Sequence, residues 1–173
     1  MPRPRPAARR AELEDGLSPQ LLTALTAARR RALRDGDRQI DTAHLLHSLV
    51  ETDPEVAAAF DSGHQLARIL GYLVQRSIGY GLRWQRSVED TGSALPVLRG
   101  TETTAAGWSP AAATALAGAF ERAARRGEGR VRGLDLLAAL AADPAGRAAE
   151  VLRRAGVDPV ALAARIEEPS QQV

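Results

Sequence analysis

The chain has 173 residues, 45% of them apolar but only 3% aromatic, with 21 acidic against 23 basic side chains for a net charge of +2. This length suits one domain with a real core, and a core of Ala, Leu and Val favours closely packed helices. Without Cys there is no disulfide, thiol nucleophile or thiolate metal site, and because every cation is Arg there is no Schiff-base or P-loop lysine; the small charge excess gives nucleic-acid binding little support.

Residues 1–16 open with alternating Pro and Arg and have no apolar h-region. They read as a disordered arm rather than a secretory signal, or as a basic arm for an acidic partner. Ser18 is a good N-cap and Pro19 suits N1, so a helix is expected from there, with Leu21, Leu22, Leu25, Ala28, Ala32 and Leu33 on its apolar stripe. Arg29, Arg30, Arg31 and Arg34 fall mostly outside that stripe. Gly36 stops the helix and Ile40 anchors a short connection. Asp41 or Thr42 caps a second helix carrying Leu45, Leu46, Leu49 and Val50, and Asp53-Pro54 starts a third. Residues 64–86 supply a fourth, with Leu66, Ile69, Leu70, Leu73, Val74 and Ile78 as its apolar face. Arg68, Arg76 and Arg83 interrupt that face and exclude a membrane span. Tyr80 and Trp84 near its end either close the core or await a partner.

Residues 87–107 are rich in Gly, Ser, Thr and Pro without periodicity and read as a linker, onto whose neighbours Leu95, Val97 and Leu98 could fold back. The first pattern then returns 91 residues on, without a gap. Ser109-Pro110 answers Ser18-Pro19, Ala115-Leu116 answers Ala24-Leu25, and Gly127 answers Gly36. Val131 answers Ile40, Leu136-Leu137 answers Leu45-Leu46, and Leu140 answers Leu49. Asp143-Pro144 should start a third helix and Asp158-Pro159 a last one, with Val160, Leu162, Ala163 and Ile166. Such an offset is an internal duplication. The expected fold is all-α: two pseudo-symmetric four-helix repeats, 17–86 and 108–168, packed as one bundle, with 169–173 as a tail.

The paired Ser-Pro starts, the Gly-x3-Ile/Val turns, the Leu-Leu-x2-Leu second helices and the ending A-A-E-V-L-R-R-A-G-V-D-P at 148–159 resemble the N-terminal domain of the Clp/Hsp100 unfoldases, the ClpC and ClpA group above all. The resemblance covers about residues 17–167, with a diverged middle. It implies a Clp N-domain-like bundle. At the place of Trp108 that family usually has an aromatic lining an apolar surface where partners and cyclic-peptide antibiotics dock. Trp108 is therefore the leading contact residue, with Leu17, Leu21, Ala112 and Glu14 grouped beside it; the alternative for Trp108 is a hydrophobic staple before the N-cap. Members that read phosphorylated arginine carry a Glu at the start of each second helix, because a carboxylate pairs with guanidinium in bidentate fashion. Here those positions hold Ala43 and Leu134, and Asp135 comes one residue late, about 100° round the helix, so phosphoarginine recognition should be lost or strongly weakened. His44 matches a structural His of the family. With His47 and the distant His64 it is not expected to bind metal, for which three or four ligands must converge.

No G-x4-G-K-[ST], G-x-S-x-G or H-E-x-x-H is present, so an N-domain without ATPase modules, without catalysis and without a cofactor is expected. The resemblance implies a cytoplasmic protein- or peptide-binding module. It would act as an adaptor or regulator of Clp unfoldase and protease components, or as a decoy for Clp-directed cyclic peptides. The alternative is an arginine-rich nucleic-acid-associated regulator using the arm and the Arg29–Arg34 face, with binding that falls steeply with salt.

Overall fold

Both copies begin with the same local chemistry. The Ser18 hydroxyl accepts the Leu21 N–H (3.1 Å) and the Ser109 hydroxyl accepts the Ala112 N–H (3.0 Å), each with proline following as the first helical residue. The computed structural model describes residues 15–78, 89, 107–127 and 129–167. Among these the chain is all-α apart from two short strands. In order, the elements are α1 (Pro19–Arg34), β1 (Gln39–Ile40), α2 (Thr42–Thr52), α3 (Pro54–Ala58), α4 (Gly63–Ser77), β2 (Gly107–Trp108), α5 (Pro110–Arg126), α6 (Gly133–Ala142), α7 (Arg147–Arg154) and α8 (Pro159–Glu167). Gly36 and Gly127, both at φ 71°, end α1 and α5 in the left-handed region that side chains avoid.

The two second helices form the centre. α2 packs against α1, α3 and α4 of its own repeat and against α5, α6 and α7 of the other, while α6 packs on α5, α7 and α8 and reaches back to α1 and α3. Both are accordingly buried on most sides, and α2 is buried from Thr42 to Val50, its His44, His47 and Ser48 included. The first helices meet this core through alanine. Ala24, Ala28 and Ala32 of α1 are buried, as are their equivalents Ala115, Ala119 and Ala123 of α5. The small side chains allow close approach; of the expected stripe Leu21, Ala28 and Ala32 are buried, while Leu22 and Leu25 are half-buried and Leu33 is exposed.

The repeats are joined by a crossed backbone pairing. Ile40 pairs with Trp108 in parallel register, and Leu17 bridges Val131, also parallel. The Ser109 N–H donates to the Ile40 carbonyl (2.9 Å), and the Ser18 N–H donates to the Val131 carbonyl (2.8 Å). Residues 18 and 109 are equivalent, and so are 40 and 131, so this is one contact made twice about a pseudo-two-fold axis. Each helix start is thus held by the turn of the other repeat.

Two expectations need correction. The third helix of the second repeat starts at Arg147, not at Pro144, because the Asp143 carboxyl takes the Ala145 N–H in a turn and Gly146 becomes the N-cap. On α4, Val74 and Ile78 are exposed while Arg76, read as an interruption, is buried. Of the residues proposed for the fourth helix, 79–86, including Tyr80 and Trp84, lie outside the described residues, as do 1–14 and, except for Glu89 and Gly107, the linker.

Gly133 opens α6 at the seam. A Cβ there would collide with the Asp53 carboxyl, which caps α3 by accepting the Glu55 N–H, and would press on buried Val56. Gly133→Ala is expected to cost about 1–3 kcal/mol in urea unfolding. Gly129→Ala, which meets nothing, should be near neutral.

Candidate functional site: the seam between the repeats

The residues grouped for ligand contact do not share one exposed surface. Trp108 is half-buried in β2, its ring packed against the core, and keeps exposed area. Its equivalent Leu17 is buried, and Leu21 and Ala112 are fully buried on the inward faces of α1 and α5. Glu14 lies outside the described residues. Ala43 is fully buried and Leu134 is half-buried against the core, so neither position offers a carboxylate to a guanidinium. Asp135, one residue later, is buried and committed: it accepts the Arg132 N–H (2.8 Å) and pairs with the Arg126 guanidinium. It fills the role that His44 has in the first repeat, the third residue of a capping box.

Around the start of α2 lies a buried charge cluster. Asp41 caps the helix by accepting the His44 N–H (2.9 Å), while its other oxygen takes Arg76 of α4 and Arg147 of α7 (2.7 Å). Burial pushes the Asp41 carboxyl up, but the hydrogen bond from His44 and the charge of Arg76 outweigh it and hold the group well below the usual carboxylate range. The His44 ring joins in. Its Nδ1 stands 3.0 Å from both the backbone nitrogen and a carboxylate oxygen of Asp41, and its Nε2 stands 2.7 Å from Asp37. Burial lowers the ring, yet the hydrogen bonds with Asp37 and Asp41 prevail and raise it above the ordinary imidazole value. Asp35, Asp37 and His44 bring three ligand atoms within 4.8 Å of one another. Asp37 is already bonded to His44, Asp35 accepts the Ser77 hydroxyl, and Arg76 stands 4.0 Å from Asp37, so the cluster reads as an ion-pair network rather than a metal site.

Glu89, buried at 4% exposure, completes the seam. Its carboxylate accepts the Thr42 N–H (2.8 Å), the Ser109 hydroxyl (2.9 Å), the Arg147 N–H (2.7 Å) and the Thr42 hydroxyl. Sequence reading missed Glu89 because an acidic residue in an aperiodic linker has no local signal. Arg76 did have one. It lies three residues after Leu73, on the face of Ile69 and Leu73, and an arginine on a buried face requires a carboxylate. On the outer side, a shallow groove runs along α1 past Leu22, Thr26, Ala27, Arg30, Arg31 and Arg34.

The arrangement is that of a two-repeat, all-α domain whose repeats share one seam. Residues 108–173 match the family model of the Clp repeat (R) N-terminal domain. Among solved structures, the N-terminal domain of the caseinolytic protease-associated chaperone ClpD from Arabidopsis thaliana superposes with a TM-score of 0.58 at 16% identity, covering 89% of this chain and 93% of that one. A chain from a structural study of a malarial protein secretion system gives 0.61 at 18% identity, covering 90% and 97%. The whole body thus has the Clp N-terminal domain fold. No curated protein matches the chain. Among the described residues, no helix is long and apolar enough to cross a membrane.

The two buried histidines set opposite limbs of the pH profile. Burial and the Arg31 charge lower His47 to about 4 against the pull of Glu51, which its ring contacts at 3.0 Å; Asp35 also faces it. The unfolded chain then binds the proton more readily, so stability is lost as pH falls from about 6.5 toward 4. His44, raised, contributes stability that is present below about 6.5 and lost as pH rises through its folded value. His47→Gln, which can still bond Glu51, should remove roughly 1–2 kcal/mol of the stability lost between pH 7 and pH 5, read by urea unfolding at both values. Asp41→Asn, stripping the shared charge from two buried arginines, should cost about 3 kcal/mol at pH 7.

Proposed function

We propose that this chain is a non-catalytic protein- or peptide-binding module of the Clp system, docking its ligand at the seam over Trp108. The observation that carries the reading is the asymmetry of one equivalent pair. The seam position is a buried Leu17 in the first repeat, whereas in the second it is Trp108, a large rigid ring that keeps exposed area beside the strand pairing. The match of residues 108–173 to the Clp repeat family supports a Clp-linked partner, an unfoldase, protease, adaptor or substrate. Burial of Ala43 and commitment of Asp135 support the loss of phosphoarginine reading, which leaves apolar contact as the source of affinity. Within this class the module serves as an accessory that recruits or regulates, or as a decoy that takes up cyclic peptides directed at Clp.

The nucleic-acid alternative has a weaker footing. The basic face of α1 is partly neutralised, because Arg31 pairs with Glu51 (2.5 Å) and Arg34 with Asp35 (3.5 Å).

The immobilised chain should retain Clp unfoldase, protease or adaptor subunits, or bind a Clp-directed cyclic peptide in titration. Trp108→Ala, checked for an intact thermal transition, should weaken that binding about 30-fold. Binding unchanged by the substitution, or recovery only of salt-sensitive nucleic acid, would overturn the reading.

A further inference from the structure

We propose that the outer face of α1 is a second docking surface, which takes a short amphipathic helix of another protein with carboxylates at one end and aliphatic side chains at the other. α1 packs on α2, β1 and α6. Its outer side carries the shallow groove, lined by α1 alone. Leu22, Thr26, Arg30 and Arg34 recur at every fourth residue, and Ala27 and Arg31 belong to the neighbouring row. The space between two such rows is what a side-chain ridge of another helix fills when two helices pack.

The groove is graded along its length. Near the start of α1 it is apolar, with half-buried Leu22 and Ala27 as its floor, and toward the end it is basic. α1 has four arginines and no carboxylate. Of the arginines in the groove, Arg31 is committed to Glu51. Arg30 is exposed and makes no ion pair among the described residues. Arg34 is 66% exposed and reaches Asp35 only at 3.5 Å, a pair of little strength. A partner with two carboxylates and an aliphatic anchor satisfies both ends. Acidic side chains are favoured in the first turn of a helix, so the partner begins over Arg30 and Arg34 and runs antiparallel to α1. A nucleic acid fits less well. α1 has no aromatic ring for a base to stack on, and Glu51 and Asp35 stand beside Arg31 and Arg34, against a run of phosphates.

The second repeat supplies an internal comparison. At the equivalent places α5 has Ala113, Ala117, Glu121 and Arg125, so the apolar anchor is shortened and the middle charge is reversed. Its Arg122, the equivalent of Arg31, pairs with Glu167 (2.6 Å). α5 still ends in Arg125 and Arg126, enough to complement its own dipole. Arg30, a turn before the end of α1, is therefore not required by the helix that carries it. The groove shares no residue with the Trp108 surface, so failure of either reading leaves the other standing.

The test uses the full chain as bait for a library of displayed random peptides of about 16 residues, or about four helical turns. Enriched peptides should carry Asp or Glu in their first turns and Leu, Ile or Met four residues apart in their later ones. Titrated singly, they should bind Arg30→Glu at least about tenfold more weakly than the parent, with Arg30→Gln in between. Arg125→Glu, which makes the same change in net charge on α5, and Trp108→Ala should shift the affinity by less than about threefold. If Arg30→Glu does not fold, Arg30→Gln carries the comparison. Failure to enrich peptides of this pattern, binding unchanged by the Arg30 substitutions, an equal loss with Arg125→Glu, or a loss with Trp108→Ala would each overturn the proposal. So would a labelled oligonucleotide that needs Arg30 and displaces the peptides.

Discussion

The rest of the structure depends on the crossed backbone pairing at the seam. The Ser18 and Ser109 N–H groups donate to carbonyls of the opposite repeat, and these bonds fix where α1 and α5 begin. The helix starts fix the buried alanine faces, which let α1 and α5 lie close to α2 and α6. A single four-helix unit of this size would leave the apolar faces of α2 and α6 uncovered; paired, each covers the other. The duplication in sequence is thus a physical requirement of the core and not only a record of ancestry.

Burying charge at such a seam is costly unless each group is paired. Asp41 meets that condition by serving α2 as its cap while accepting Arg76 from its own repeat and Arg147 from the other. The first repeat centres on Asp41 and His44. The second replaces this arrangement with the Asp135 capping box and its pairing to Arg126, a local solution that does not cross the seam. The two halves therefore share a backbone but differ in electrostatics. The half containing Thr42, Glu89 and Arg147 is the polar one.

Much of the fold was legible in the sequence, because caps, left-handed glycines and apolar periodicity are local signals. Ser18, Ser109, Asp41, Asp53, Gly36 and Gly127 act as expected. The start of α7 was misplaced because Asp143-Pro144 has the same pattern as Asp53-Pro54, and the deciding groups, Gly146 and Glu89, act through tertiary contact. Of the described residues grouped for ligand contact, only Trp108 keeps exposed area. The burial of Leu21 and Ala112 follows from the angle at which two helices cross, which periodicity leaves open within a turn. Glu89 could not be found from spacing, since its partners are distant in sequence and its own surroundings have no pattern.

The two repeats form one cooperative body through the crossed pairing. Native-state hydrogen exchange tests it most directly. The amides of Ser18, Ser109 and Val131, each bonded to the opposite repeat, should exchange only through global unfolding, with the same opening free energy as the core amides of α2 and α6. Exchange of either set through a sub-global opening, with one repeat melting while the other stays protected, would contradict the account.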